Sequence, residues 1–314
     1  MFKWLRRALF ALLSLLLIGF IYQTAMQYRD EGRYHAPGRM VDIGGGRRLN
    51  LDCRGTGWPT VLLETGLGAQ ASSWNDVMKG VEPLTRVCAY DRAGYGYSDP
   101  GPDPRTTNEI VGDLEKLLGA SGEKGPFVLV GHSLGGFTIR VFAARHQAEV
   151  KGLIFVDSSH PEQIQRMPES AKRTQNAVNL VMQGFPFLCR VGVVRVALAW
   201  TGSSGEDTYL QSQPKFAHAS VSELNAFAES GRQTQAASPT FGDLPIIVLT
   251  AGKDGTHMTE MYKLWRNEWQ PELVRLSARG SQTIVEDSTH LIPMEKPQAV
   301  VQAVREMLAG IKPL

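Results

Sequence analysis

The stretch that decides the fold is Val128-Leu129-Val130-Gly131-His132-Ser133-Leu134-Gly135-Gly136. A short apolar run, Phe127 to Val130, ends at a serine framed by glycines. Thr138 to Arg145 follows, with Ile139, Phe142 and Ala143 spaced as one helical face. A G-x-S-x-G pattern between a strand and a helix predicts a sharp turn that lifts Ser133 above the end of a sheet. The reason for those residue types is steric. The serine sits in strained backbone, and the glycines omit Cβ atoms for which such a turn has no room. The helix N-terminus behind the serine offers free N–H groups and a positive dipole end to an oxyanion formed there.

The rest of the chain supports a large α/β domain. It has 314 residues, 43% hydrophobic and 20% charged, enough to bury a sizeable core. A net charge of +2 gives no sign of a nucleic-acid partner. There is no C-x-x-C pair, no H-E-x-x-H and no clustered ligand spacing, so no metal site is expected.

Outward from the serine, the pattern alternates. Strands are expected at Arg39 to Ile43 and Arg48 to Cys53, around the hairpin signal Gly44-Gly45-Gly46. Others are expected at Thr60 to Glu64, Arg86 to Tyr90, Gly152 to Val156, Pro245 to Thr250 and Gln282 to Val285. Helices are expected at Thr106 to Leu118, Thr259 to Trp269 and Pro297 to Leu308. Thr106 and Glu109 are spaced as a capping box. This rhythm predicts a mostly parallel sheet covered on both faces. Between Ser158 and Phe241 the periodicity becomes irregular, which reads as an insertion of several helices. Segments 29–157 and 242–314 are then two parts of one core, and 158–241 is the insertion.

Residues 1–28 form a separate piece. Lys3, Arg6 and Arg7 precede an apolar run from Ala8 to Tyr22, and no charge follows until Arg29. The run has the length of a signal-peptide core. The uncharged segment from Ala8 to Tyr28 is also just long enough to cross a hydrocarbon layer of about 30 Å. Thr24-Ala25-Met26 is a poor cleavage site, so an uncleaved membrane anchor is favoured over a cleaved signal. The basic flank then stays in the cytoplasm and the rest of the chain lies outside.

A serine hydroxyl needs a base, and the base needs a group to orient it. With this kind of turn the chain order is serine, acid, histidine. Of seven histidines, only His257 and His290 come late. His290 follows a predicted strand, where open α/β sheets carry their chemistry, and is the expected base. Asp254, after the strand ending at Thr250, is the expected acid. Asp157, at the end of the strand after the Ser133 helix, is the runner-up. Either aspartate also reads as an ordinary turn residue.

With these motifs in hand, residues from about 39 to the end resemble the α/β-hydrolase superfamily, in its serine-hydrolase branch. The matching pieces are Gly131-His132-Ser133-Leu134-Gly135, Asp91-Arg92-Ala93-Gly94-Tyr95-Gly96-Tyr97-Ser98, Gly252-Lys253-Asp254 and His290. The resemblance implies an eight-stranded sheet and a helical lid after the sixth strand. It implies an oxyanion hole made by the N–H groups of Leu134 and Leu67, the latter in Glu64-Thr65-Gly66-Leu67-Gly68. Relatives usually carry a His-Gly pair there, and Thr65 departs from it, which puts the anchoring of that loop in question. Lid residues such as Val178, Leu180, Val181, Met182 and Phe185 are candidates either to wall an acyl pocket or simply to pack the lid. The 91–98 loop reads as structural and ion-paired, and Trp74 reads as core. The second and fourth strands are neighbours in this fold, so a Cys53–Cys88 disulfide is possible if the domain is exported. Cys189 is then left unpaired.

The resulting expectation is a membrane-anchored serine hydrolase, without cofactor, acting on an ester or related acyl bond of a small molecule. C–C bond hydrolysis, aminopeptidase action and cofactor-free peroxidase chemistry stay open as alternatives. So do a slow-turnover ligand sensor and a structural membrane protein. Ser133 argues against relatives that use an aspartate nucleophile.

Overall fold

The computed structural model describes residues 2–237, 240–255 and 259–311. Its centre is a sheet of eight strands: β1 (Arg39–Asp42), β2 (Arg48–Arg54), β3 (Thr60–Glu64), β4 (Val87–Tyr90), β5 (Phe127–His132), β6 (Val150–Val156), β7 (Ile246–Ala251) and β8 (Gly280–Val285). Their spatial order is β1-β2-β4-β3-β5-β6-β7-β8. The β1–β2 and β2–β4 pairings are antiparallel, and all the others are parallel.

The central strands are apolar throughout because both faces are covered. Alternation along each strand divides their side chains between two cores. Leu62, Phe127, Leu129, Leu153 and Phe155 join one. Val61, Leu63, Val128, Val130, Ile154 and Val156 join the other. Trp74 is fully buried in the second, as its core reading expects.

The helices before β6 are α1 (Phe2–Glu31), α2 (Asn75–Val81), α3 (Thr107–Ser121) and α4 (Gly135–Arg145). Between β6 and β7 come α5 (Gln163–Arg166), α6 (Glu169–Met182), α7 (Phe185–Arg190), α8 (Val193–Trp200), α9 (Gly205–Gln211), α10 (Pro214–Asn225) and α11 (Phe227–Ala237). After β7 the chain forms α12 (Thr259–Leu264), a π-helical turn at Trp265–Trp269 and α13 (Gln270–Val274). Then follow α14 (Ile292–Glu295) and α15 (Pro297–Gly310).

The capping box expected at α3 does not form. Thr106 occupies the N-cap position without a side-chain hydrogen bond. Instead the Thr107 N–H donates to Ser230 Oγ and the Asn108 N–H to Gln233 Oε1, both on α11. Tertiary partners replace the local cap because α11 lies across this helix end and supplies acceptors for its otherwise orphaned N–H groups.

Cys53 and Cys88 face each other across β2 and β4, with Cα atoms 4.1 Å apart, and are joined by a disulfide. That spacing is near that of a non-hydrogen-bonded antiparallel pair, at about 4.5 Å, in which side chains approach most closely. Cys189 is free and buried, and burial pushes its thiol up to about 12.

Candidate active site

Strand β5 runs directly into α4, and Ser133 stands at the corner with φ of 51°. The corner is closed so tightly that a Cβ on Gly131 would lie 2.6 Å from the Gly135 carbonyl oxygen. One on Gly135 would lie 2.6 Å from the Glu64 carbonyl oxygen. Both glycines are therefore required by backbone contact. Gly66, on the loop after β3, also passes close by: a Cβ there would meet Ser133 Cβ and His132 Nδ1 at 3.0 Å. That loop thus runs over the serine. Among the described residues, neither the Leu67 nor the Leu134 N–H donates a backbone hydrogen bond.

His290 lies between β8 and α14, and its Nδ1 is 2.6 Å from Asp157 Oδ2. This corrects the sequence expectation, which paired His290 with Asp254. Asp157 directly follows β6 with φ of 43°, a left-handed turn that aspartate tolerates better than most residues. Its other oxygen, Oδ1, accepts from the Ala251 N–H at 2.9 Å and the Trp265 indole N–H at 3.0 Å. The carboxylate is therefore aimed by two fixed donors, and its remaining oxygen faces the imidazole. Asp254 does not take that position. It lies farther along the loop after β7, at the wall of the same cavity. The runner-up aspartate had only its place at a strand end to signal it. The rejected candidate His257 is outside the described residues.

Ser133, Asp157 and His290 share a cavity of about 210 Å³ with Phe227, Tyr262 and Trp265, among others. The Trp265 ring meets the His290 ring edge-on, with centroids 5.8 Å apart. His132 supports the site from behind. Its ring packs edge-on against Trp74, and its Nε2–H donates to the His290 carbonyl oxygen at 2.8 Å. Burial, and then the neighbouring His290, push its pKa down to about 3, so it stays neutral. None of Val178, Leu180, Val181, Met182 or Phe185 lines this cavity. Val178, Leu180 and Val181 are exposed, and Phe185 packs against Phe216.

The departure at Thr65 is compensated by Arg92, which is fully buried. Its Nη1 donates to the Thr65 carbonyl and hydroxyl oxygens at 2.7 Å and to Glu64 at 2.8 Å. Its Nη2 donates to the Gly66 carbonyl at 2.8 Å. The remaining donors grip Glu223 of α10 in a two-pronged contact. Tyr90 donates to the second oxygen of Glu64, and Tyr95 to Glu223. Burial pushes the Glu64 carboxyl upward, against the pull of Arg92. Burial also disfavours the Arg92 charge, but Glu223 and Glu64 outweigh it and hold the guanidinium charged. The loop is thus held by its main chain, and the charged 91–98 segment is structural, as its composition suggested.

Among the described residues, two groups of ligand-type side chains gather elsewhere. Cys53 and Cys88 have their sulfurs bonded to each other, and the nearby Glu123 is held by Arg86. Arg166 bridges Glu162 and Glu272, and His160 pairs with Glu272. Both are already internally paired.

The strand order and the serine at the β5–α4 corner define an α/β-hydrolase architecture. Residues 59–297 match the family model described as the alpha/beta hydrolase fold, and the chain belongs to that family. A Schizosaccharomyces pombe relative, itself named an uncharacterized protein, is 29% identical over 296 residues. That match covers 83% of this chain and 53% of the relative, so the chain spans about half of that protein's length. A thermophilic esterase from Thermogutta terrifontis superposes with a TM-score of 0.62 at 22% identity, covering 86% of this chain and 97% of its own. The enol-lactonase from Burkholderia xenovorans LB400 gives 0.61 at 19% identity, covering 86% and 99%. At such identities the likeness to the solved structures concerns the fold.

Proposed function

We propose that the chain is a membrane-anchored serine hydrolase that cleaves esters through an acyl-enzyme, with Ser133 as nucleophile, His290 as base and Asp157 as the orienting acid. The observation that carries this reading is the 2.6 Å contact between His290 Nδ1 and Asp157 Oδ2, in the cavity that Ser133 also lines. A carboxylate on Nδ1 fixes the tautomer that leaves Nε2 free to accept the serine proton, and it stabilises the imidazolium that results. Ser133 Oγ attacks the acyl carbonyl as its proton passes to Nε2. The oxyanion settles toward the N–H groups of Leu134 and Leu67. The intermediate collapses, the alcohol leaves with the proton from His290, and the acyl group stays on Ser133. Water, deprotonated by His290, then releases the acid and restores the serine.

Several observations support the details. The fold relatives include an esterase and an enol-lactonase, both of which open oxygen esters. The cavity is below the roughly 300 Å³ lower bound usual for ligand clefts, which favours a short acyl group. Helices α5–α11 act as the lid, and Gln163 and Phe227 are its contribution to the cavity wall. Helix α1 is long and apolar enough to cross a membrane, and only 6% of its most apolar stretch is buried. Its basic start and the Cys53–Cys88 disulfide favour an anchor with the catalytic domain outside the cytoplasm.

The test is labelling of the full-length protein in detergent micelles with a fluorophosphonate, together with turnover of p-nitrophenyl esters of increasing chain length. The expected result is labelling that disappears in Ser133→Ala, and turnover that is highest for short acyl chains. Undiminished labelling of Ser133→Ala refutes the assignment of the nucleophile.

A further inference from the structure

Helix α8 is built inside out. Its one charged residue, Arg195, is 2% exposed, while Val193, Val196 and Trp200 are 51%, 52% and 89% exposed. The spacing of these three, i, i+3 and i+7, puts them on one face. Leu180 and Val181 of α6 and Phe187 of α7 are exposed beside them in sequence. The buried arginine points into α1: Nη1 donates to Asp30 at 2.6 Å and Nε to Gln23 at 3.0 Å. The contact continues in both directions along α1. Gly19 packs so closely that a Cβ would lie 2.3 Å from the Val191 carbonyl oxygen. Beyond the helix, Tyr34 stacks on Tyr209 at 5.9 Å. The helix that grips α1 through Arg195 thus turns Val193, Val196 and Trp200 outward.

Lengths then decide where that face lies. The uncharged stretch of α1, from residue 8 to residue 28, covers about 31 Å at 1.5 Å per residue, one hydrocarbon thickness. Gly19 is about 16 Å along it, near the middle of the layer. Keeping Val191 out of the hydrocarbon would require the span to end at Ile18. Even counted from Trp4, that leaves about 22 Å and buries Arg6 and Arg7 in the lipid. A straight span therefore carries the α7–α8 junction into the membrane with it.

We infer that α7 and α8 are seated in the outer leaflet beside α1, with Val193, Val196 and Trp200 in contact with acyl chains, the Arg195–Asp30 pair shielded between the helices, and the exposed Arg190 of α7 extending its guanidinium toward the headgroups. This rests on the reading of α1 as an uncleaved anchor. The occupant of the apolar face is a lipid layer, because α7 and α8 pack on α1, whose large exposed side chains between residues 9 and 21 are Leu, Ile and Phe. An arginine without a counter-charge would be costly there, and Asp30 and Gln23 of α1 take its Nη1 and Nε donors.

The test uses full-length protein in phosphatidylcholine vesicles, in a Cys189→Ala background, with an environment-sensitive fluorophore on Val196→Cys or on Glu306→Cys of α15. At position 196 we expect blue-shifted emission, strong quenching by nitroxide-bearing lipid and several-fold protection from aqueous iodide. Position 306 should show the reverse. If the protein stays with the vesicles through alkaline carbonate, yet position 196 is quenched by iodide as readily as position 306, the outer-leaflet seat is wrong and the anchor stands. If carbonate strips the protein from the vesicles, the anchor reading fails and this inference with it.

Discussion

Asp157→Asn is the sharpest test of the proposed relay. Oδ1 of Asp157 receives two donors, the Ala251 N–H and the Trp265 indole N–H. An asparagine must keep its carbonyl oxygen there, since turning its NH₂ toward two N–H groups would lose both bonds. The NH₂ is then forced to face His290 Nδ1 in place of Oδ2, at the 2.6 Å contact. Nδ1 must become an acceptor, and Nε2 carries the proton where the serine needs a base. The wrong tautomer in such a triad costs about 10³–10⁴ in kcat, or about 4–5.5 kcal/mol of transition-state stabilisation. Asp254→Asn, on the cavity wall, should cost less than about tenfold. Steady-state hydrolysis of a short p-nitrophenyl ester by both variants, with circular dichroism to check folding, decides between them. If Asp254→Asn falls a thousandfold while Asp157→Asn keeps a tenth or more of its activity, the reasoning from the two fixed donors is wrong.

Three further outcomes follow from the same geometry. Arg92→Leu leaves Glu64 and Glu223 buried without their cation, and denaturant unfolding should show a loss of about 3–5 kcal/mol. Reducing the disulfide, or replacing Cys53 and Cys88 by serine, should cost about 3–4 kcal/mol, because the bridge closes a separation of 35 residues. A change below 1 kcal/mol by the same measurement would contradict that figure. His132 has a folded pKa lowered from 6.5 to about 3. Between those values the unfolded chain binds a proton that the folded chain does not, so its contribution to stability falls as pH drops through that window. The difference in stability between wild type and His132→Asn should therefore shrink on acidification from pH 7 to pH 4. A constant difference would remove the argument.

How much of this could be read in the sequence differs from one residue to the next. Ser133 was legible because its turn demands glycines at fixed offsets, and those demands are local. The sheet was legible because buried parallel strands need continuous apolar runs. The aspartate that meets His290 was not, since two strands end near an Asp and both satisfy the same local rule. What selects Asp157 is the amide of Ala251 and the indole of Trp265, and Trp265 is brought there through a π-helical turn that no periodicity announces. Similarly, nothing near Thr106 shows that α11 will cap α3 in place of its own side chain. Arg195 reads as one charge in an apolar stretch until the structure supplies Asp30 from 165 positions away.

The grip of Glu223 on Arg92 bears on how freely the helices over the sheet can be exchanged. A cap transplanted from a relative would carry away the carboxylate that faces the guanidinium, and the β3 loop would lose one of its moorings although no residue of that loop had changed. Modular engineering of specificity in this chain must either retain an acid at that point or recode Arg92 in the same step.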